Sequence, residues 1–84
     1  VDILAKDETG GLVVIEIKAG KAKDSALGQL LGYMGCLSSS NEQPSVRGIL
    51  VAFSFDTRVT WAAKGLHNVK LLKYQLSFNL EEIE

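Results

Sequence analysis

Cysteine and proline are nearly missing from this chain, which holds one residue of each among 84. The single Cys36 cannot close an intramolecular disulfide, and it excludes a zinc site built from cysteines. No charged segment followed by an apolar run opens the sequence, so there is no sign of a secretory signal. Together these absences favour a reducing cytoplasm. The single proline, Pro44, lies with Asn41 between Ser38 and Ser45, a stretch that we predict to be a loop.

Long apolar runs and an excess of charge are also missing. The apolar stretches are interrupted by Lys, Gly or Glu, which excludes a membrane-spanning helix. Nine Lys and Arg against ten Asp and Glu give a net charge of −1, so no global basic field marks a nucleic-acid binder. What is present is 46% apolar and 23% charged residues, the balance of a globular chain. At this length we predict one domain over residues 1–84, small enough for help from a partner to be plausible.

The first half of the sequence predicts a β-hairpin followed by a helix. Asp2 to Lys6 and Leu12 to Lys18 are rich in β-branched and large apolar residues, and Asp7 to Gly11 has turn chemistry. Asp24 or Ser25 then caps a predicted helix. Its apolar positions have helical spacing and form one buried stripe: Leu27, Leu30, Leu31, Met34 and Leu37.

The second half adds a strand, a helix and a strand. Val46 to Phe55 is dense in apolar residues and is predicted to be a central strand buried on both faces. Asp56 or Thr57 caps a second helix that ends near Lys64, with Gly65 as the left-handed residue beyond it and Trp61 in the core. Val69 to Leu80 is predicted to be a peripheral strand with one packed face, because it alternates strictly from Leu72 onward. The fold class is therefore α/β, a mixed sheet of about four strands in the order ββαβαβ flanked by helices.

The predicted hairpin brings charged groups together. If Lys6 faces Leu12 across the turn, counting along both strands places Asp2 opposite Glu16, about 4.5 to 5.5 Å apart at Cβ. Lys18, two residues after Glu16, projects from the same face. The opposite face carries only apolar side chains: Ile3, Val13, Ile15 and Ile17.

Opposed carboxylates repel each other, so stability alone does not explain this pair. A divalent cation between Asp2 and Glu16 would explain it, and carboxylate oxygens suit Mg²⁺ or Mn²⁺. The alternative interpretation is an exposed Glu16–Lys18 ion pair on a strand, with Asp2 at a frayed terminus. Lys18, Lys21 and Lys23 form either a local basic patch or an ordinary solvated loop.

Four segments resemble the C-terminal catalytic domain of NucS/EndoMS-type endonucleases, over nearly the whole chain. These enzymes belong to the PD-(D/E)xK superfamily and have a restriction-endonuclease-like fold. The segments that carry the resemblance are Val1 to Asp7, Val13 to Lys18, Gln29 to Gly35 and Val46 to Ala52. The D…ExK signal becomes fairly specific when it is joined to Gln29-x-x-x-Tyr33 in the next helix.

The resemblance implies a role for each matching residue. Asp2, Glu16 and the backbone carbonyl of Ile17 would bind the metal, and Lys18 would be the catalytic lysine. Gln29 and Tyr33 would support the active site and contact nucleic acid. Lys21 and Lys23 are candidates for further contacts with DNA. Without the resemblance, Gln29 and Tyr33 are better explained as a helix-edge pair that covers the core.

Two departures from the family are visible in the printed sequence. The family usually has a helix before its first strand, whereas this sequence begins at Val1, so we expect that the chain is truncated or that another subunit supplies that wall. The DNA-binding domain that precedes the catalytic domain in NucS-type enzymes is also not in this sequence. The family's preference among DNA structures is therefore not carried over.

Gly28, Gly32 and Gly35 recur at helical spacing on a third side of the first helix. Each costs about 1 kcal/mol relative to Ala, so a compensating close contact is expected. That contact is either a second subunit in a two-fold homodimer or the chain's own sheet.

The leading hypothesis is a Mg²⁺- or Mn²⁺-dependent endodeoxyribonuclease that acts on DNA in repair or recombination. The alternative is a catalytically incomplete nuclease-like module that binds nucleic acid or a protein partner. A third hypothesis is a purely structural assembly module built on the glycine-striped helix.

Overall fold

The computed structural model describes residues 2–39 and 45–83. The predicted loop residues Asn41 and Pro44 lie outside the described residues. The elements, in chain order, are β1 (Ile3–Lys6), β2 (Leu12–Ala22), α1 (Asp24–Ser38), β3 (Val46–Phe55), α2 (Thr57–Lys64) and β4 (Val69–Lys73). The predicted order ββαβαβ is confirmed.

The strands form one sheet in the order β1-β2-β3-β4, which confirms the predicted mixed topology. β1 pairs antiparallel with β2, and the pairs β2–β3 and β3–β4 are parallel. Helix α1 packs on β2 and β3, while α2 contacts β4 and α1. Two successive right-handed crossovers in one direction place both helices on the same side of the sheet.

The hairpin has the predicted register. Lys6 pairs with Leu12, and the pairing runs to Ile3 opposite Ile15. In the turn, Gly10 has φ 88°, a left-handed conformation that glycine adopts without strain. The Asp7 carboxylate accepts hydrogen bonds from the Thr9 hydroxyl at 2.8 Å and from the Gly11 N–H at 2.8 Å.

These turn contacts lower the pKa of Asp7 from its ordinary 3.8. The Thr9 side chain contributes most, followed by the Gly11 N–H, and Arg47 adds a smaller effect through its charge. Because the folded pKa is below the unfolded one, Asp7 stabilises the fold above pH 3.8 and loses this contribution as the pH falls through the lowered value. The turn should therefore weaken only in acid.

The core lies between the sheet and α1. Alternate residues of β2 and β3 point toward the helix and are buried, among them Val14, Leu50 and Ala52. From the helix, the predicted stripe supplies buried Leu27, Leu30 and Met34, with Leu31 and Leu37 packed partly buried beside them. The helical spacing of these residues thus predicted the buried face correctly.

Gly48 allows α1 to approach the sheet closely. A Cβ built on it would overlap the Met34 sulfur and lie 3.1 Å and 3.2 Å from the two terminal methyl groups of Leu30. Leu30 and Met34 are both buried, so either side chain would have to move within the core to make room for a methyl group. The packing therefore disfavours a larger residue at position 48, and nothing in the local sequence indicates this.

Gly48→Ala is expected to destabilise the chain by about 1–3 kcal/mol, the usual range for overpacking a filled core. Urea unfolding followed by circular dichroism measures the change. Gly65→Ala is the matched control, because a Cβ at Gly65 would lie at an ordinary contact distance of 3.6 Å from the Ala62 carbonyl oxygen. The control should leave stability nearly unchanged, since Gly65 has a φ of −84° that alanine also adopts. Equal stability of the Gly48 variant and the unsubstituted chain would contradict this account of the packing.

Several details of the prediction were wrong. β4 ends at Lys73, and the predicted strand continuation to Leu80 is not formed. Leu76, Phe78 and Leu80 are 76%, 81% and 89% exposed, so the alternating apolar face of this tail does not pack on the described residues. Trp61 is 65% exposed rather than in the core, because α2 buries only Val59.

The helix ends and the central strand also differ from prediction. Lys23 precedes α1, and Asp56 precedes α2, without a side-chain capping hydrogen bond in either case. Gly65 has φ −84°, so it is not left-handed. β3 is buried on its helix-facing side only, since Phe53 on the other face is 48% exposed. Neither described helix has the length and apolar character required to cross a membrane.

Candidate active site

Glu16 is the one charged side chain among the described residues that is buried, with only 11% of its side chain exposed. It lies in β2 opposite Leu50 of β3, on the face that α1 covers. This placement follows from the alternation of β2, which directs Leu12, Val14 and Glu16 to the same side. A buried carboxylate is costly unless charges or hydrogen bonds compensate it. The alternative interpretation of an exposed ion pair is therefore wrong for Glu16.

Asp2 lies one residue before Ile3, the first paired residue of the hairpin. Its N–H donates to the Ile15 carbonyl at 3.2 Å, and its carboxylate Oδ2 accepts the Ile17 N–H at 2.6 Å. The Asp2 carboxylate therefore continues the hydrogen bonds between β1 and β2 beyond Ile3. It lies beside Ile17, the residue that follows Glu16. Asp2 is held at this point rather than frayed, although it is exposed.

Lys18 and Gln29 complete the cluster around Glu16. The Lys18 ammonium lies 3.9 Å from Glu16 Oε2 and 3.4 Å from Gln29 Oε1. Lys18 ends the regular part of β2, whereas Gln29 lies in the second turn of α1. Helix α1, which covers the core, thus places the Gln29 side-chain amide next to the Lys18 ammonium.

The remaining predicted site residues lie around this cluster. Tyr33, one helical turn after Gln29, is half-buried and packs against the core. Lys21 is exposed and belongs to β2, which extends to Ala22, and exposed Lys23 immediately precedes α1. Both lysines are exposed, as the solvated alternative expected, but Lys21 lies in a strand and not in a loop. They lie on the segment that joins Lys18 to the helix.

This joining segment contains a bulge. Lys18 pairs with Ala52 and Lys21 pairs with Ser54, so β2 advances three residues while β3 advances two. Next to the bulge, the Tyr74 hydroxyl donates a hydrogen bond of 2.6 Å to the Ala19 carbonyl. Tyr74 was not among the predicted site residues. Its 55-residue separation from Ala19 leaves no local signal that could have found it.

The oxygen atoms near Glu16 suit a hard divalent cation. Asp2 and Glu16 supply two carboxylates. The Ile17 N–H points toward Asp2, and the N–H and C=O of a strand residue project to the same side of the strand, so the Ile17 carbonyl also faces β1. Mg²⁺ commonly takes one or two carboxylates and keeps several waters. In residues 2–39 and 45–83 no group of three or more His, Cys, Asp or Glu could hold a metal, so a zinc-type ligand set is not formed there.

The sequence matches the family model described as the Endonuclease NucS C-terminal domain over residues 1–78. This chain belongs to that family. The resemblance inferred from the four sequence segments is thereby confirmed, and the family's members are named as endonucleases.

Two curated relatives in the family are archaeal. The Endonuclease NucS of Sulfolobus acidocaldarius is 44% identical over 52 residues, which cover 62% of this chain and 20% of that protein. The Endonuclease NucS of Aeropyrum pernix is 43% identical over 51 residues, which cover 61% of this chain and 18% of that protein. The matched part therefore spans about a fifth of each relative's length.

Solved structures of NucS and EndoMS proteins share the fold. A repair endonuclease from Pyrococcus abyssi superposes with a TM-score of 0.77 at 31% identity, covering 89% of this chain and 32% of that one. EndoMS in its apo form superposes with a TM-score of 0.74 at 30% identity, and the match covers 88% of this chain and 34% of that one. An EndoMS complex with double-stranded DNA superposes with a TM-score of 0.65 at 29% identity, and the match covers 90% of this chain and 31% of that one. The α/β fold with an open four-stranded sheet is shared with these neighbours.

Proposed function

We propose that this chain is the catalytic domain of a metal-dependent endodeoxyribonuclease of the PD-(D/E)xK type, which hydrolyses DNA phosphodiester bonds in DNA repair. The observation that carries the proposal is the buried Glu16 carboxylate beside Lys18. The Asp2 carboxylate lies next to this pair and accepts a hydrogen bond from the N–H of Ile17, the residue after Glu16. A buried carboxylate close to a lysine, on the strand that also binds a second carboxylate, is an arrangement that suits a hard divalent cation. The names of the relatives, which include a repair endonuclease and a DNA complex, support the same activity.

Asp2, Glu16 and the Ile17 carbonyl would hold Mg²⁺ or Mn²⁺. When bound, the ion would lower the pKa of a coordinated water and neutralise charge that develops on the phosphate. The hydrogen bond from Ile17 to Asp2 Oδ2 leaves the other carboxylate oxygen available as a ligand. The buried position of Glu16 limits its rotamers and so keeps its oxygens in place.

Lys18 would act directly on the scissile phosphate or the attacking water. Its ammonium is partly exposed and has three donors, of which Gln29 Oε1 accepts one at a long 3.4 Å. Gln29 therefore restrains the lysine without occupying it fully. In this arrangement Lys18 would neutralise charge on the phosphate in the transition state.

DNA would lie across Gln29, Tyr33, Lys21 and Lys23. The two lysines come after the catalytic lysine, along the exposed end of β2 and up to the start of α1. Because the whole chain has a net charge of −1, such a local basic segment is where phosphate contacts would be made. Tyr33 presents a ring at the helix surface next to the core.

The test is cleavage of single-stranded, duplex and branched DNA by the full chain with Mg²⁺ or Mn²⁺. We expect cleavage of at least one substrate, loss of cleavage with a chelator, and recovery when Mn²⁺ is restored. Calorimetry with Mn²⁺ alone provides an independent readout of the metal site. DNA binding without cleavage under any metal condition would instead support the catalytically incomplete module.

The homodimer proposal rests on the glycine face of α1. Gly28, Gly32 and Gly35 are exposed, and among the described residues no atom lies within 4 Å of a Cβ at any of them, so the sheet does not fill this face. The alternative of packing against that sheet is therefore wrong. A second copy that approaches along these glycines would explain their cost in the helix.

Gly32→Leu is expected to convert a dimer of the chain to a monomer, because the new side chain would separate two closely packed helices. Light scattering coupled to size exclusion measures the mass. Gly20→Leu, at another open position away from α1, is the control. A mass that is unchanged by Gly32→Leu, or a monomeric unsubstituted chain, would contradict the proposed interface.

A further inference from the structure

The contact between Lys18 and Gln29 depends on the bulge that separates them in the chain. Lys18 precedes the bulge, and the rest of β2 leads directly from it into α1, which carries Gln29. A bulge bends its strand and changes the direction of the residues after it. The conformation of Ala19 and Gly20 therefore affects where α1 begins relative to the lysine, in addition to the packing of α1 on the sheet.

The bulge has little side-chain packing around it. At Gly20 none of the described atoms lies within 4 Å of a Cβ position, and Ala19 is exposed. The Lys18–Gln29 hydrogen bond is long, at 3.4 Å, and joins two long side chains with several rotatable bonds each. A contact of this kind is maintained only when the backbone on both sides is already positioned.

Tyr74 supplies the missing restraint from the end of β4. Its N–H donates to the Ala52 carbonyl at 3.1 Å, and Ala52 is the residue of β3 that pairs with Lys18. Its side chain then crosses β3, and its hydroxyl donates to the Ala19 carbonyl at 2.6 Å. One residue therefore joins β4, β3 and the bulge of β2.

Phe53 keeps the tyrosine ring over β3. The two rings meet edge to face, with centroids 5.9 Å apart and planes at 62°. Phe53 lies between Ala52 and Ser54, the two β3 residues at which the register with β2 changes. The ring pair therefore lies at the bulge, where the regular backbone hydrogen bonds between β2 and β3 are interrupted.

We propose that Tyr74 is a positioning residue, whose hydroxyl fixes the Ala19 carbonyl so that Lys18 and Gln29 meet at the active site. It lies 72 residues after Asp2, and its hydrogen bonds described above are made to Ala52 and Ala19. The inference rests on the proposed nuclease function for its kinetic consequence. Its structural part, the link from Tyr74 to the Lys18–Gln29 contact, can be measured separately.

Tyr74→Phe is the decisive variant, because it removes the hydroxyl and keeps the ring that packs on Phe53. In the cleavage assay we expect kcat to fall about fivefold to tenfold, the scale of one neutral hydrogen bond, with KM for DNA nearly unchanged. Mn²⁺ affinity should also be unchanged, since neither carboxylate moves. Leu72→Ala, which removes an exposed side chain two residues earlier, is the matched control and should retain the kcat of the unsubstituted chain.

The second readout is independent of activity. The side-chain amide signals of Gln29 in ¹H–¹⁵N spectra, and amide hydrogen exchange at residues 19–21, should both change in Tyr74→Phe and remain as they are in Leu72→Ala. A Tyr74→Phe variant with unaltered Gln29 signals and unaltered kcat overturns the inference. A variant that changes those signals in a chain that cleaves no DNA would sustain the positioning link while the nuclease proposal itself fails.

A merely structural role for Tyr74 predicts a different pattern. Loss of general stability would lower the fraction of folded protein and so reduce the apparent number of active sites without changing kcat per folded site. Titration of active sites with Mn²⁺ separates these cases. If activity per Mn²⁺-binding site is equal in Tyr74→Phe and the unsubstituted chain, the tyrosine only stabilises the fold and the inference is wrong.

Discussion

Glu16→Gln is expected to lower the rate of DNA cleavage by at least about 10³-fold, at the upper end of what one charge-stabilising group contributes in other enzymes. The substitution keeps the size of a side chain that is only 11% exposed, so the surrounding packing need not change. What it removes is the negative charge that would bind the cation. Calorimetry should accordingly show that Mn²⁺ binding is lost together with cleavage.

The stability of this variant distinguishes a functional acid from a structural one. Removing a buried charge relieves its desolvation, and glutamine keeps an oxygen that can still accept hydrogen bonds. The loss of the ion pair with Lys18 costs at most about 1 kcal/mol. We therefore expect unchanged or increased resistance to urea. Glu8→Gln, in the exposed hairpin turn, is the charge-matched control and should affect neither cleavage nor Mn²⁺ binding. A Glu16→Gln variant that still binds Mn²⁺ and cleaves DNA would remove the basis of the proposed metal site.

Lys18→Ala is expected to reduce kcat by about 10²–10³-fold while leaving Mn²⁺ affinity close to that of the unsubstituted chain. In the proposed site the lysine would act on the phosphate or the water, whereas the acids would hold the ion. Lys18→Arg should not restore full activity, because a planar guanidinium places its donors differently from the compact ammonium near Gln29 Oε1. Steady-state kinetics and calorimetry under identical conditions make the comparison.

The control for Lys18 is Lys6→Ala, a substitution of an exposed lysine on the neighbouring strand at the hairpin end. It removes the same charge from the protein, so it reports any general electrostatic effect on DNA binding. An equal loss of cleavage activity in the two variants would mean that Lys18 contributes a non-specific attraction for DNA and does not take part in catalysis. Loss of Mn²⁺ binding in Lys18→Ala alone would mean that the lysine organises the acids instead.

Much of the fold was accessible from the sequence because its signals are local. The turn composition of residues 7–11 predicted a register that the structure has, with Lys6 opposite Leu12. The apolar spacing of α1 predicted its buried face, and β3 has the predicted bounds of Val46–Phe55. Alternation along β2 predicted that Glu16 and Lys18 share one face, and the structure brings their charged groups within 3.9 Å.

The errors arise where local pattern and tertiary surroundings disagree. Residues 74–80 alternate as a strand does, yet a strand needs a hydrogen-bonding neighbour, and the described residues form no strand pairing beyond Lys73. Trp61 was predicted to be buried because of its side chain, but the short α2 turns only Val59 inward. The spacing of the α1 glycines allowed them to pack against the chain's own sheet. The structure contradicts this alternative, because the space next to each of these glycines is open in the described residues.

By itself, the sequence determined the order of the elements, the hairpin register and the shared face of Glu16 and Lys18, because each depends on residues close together in the chain. Tertiary structure decided that Glu16 is buried, that Gln29 reaches Lys18 and that Tyr74 binds the Ala19 carbonyl. These three contacts join elements that pack together only in the folded sheet. Their geometry follows from how α1 and β4 pack on the other strands, which no local periodicity encodes.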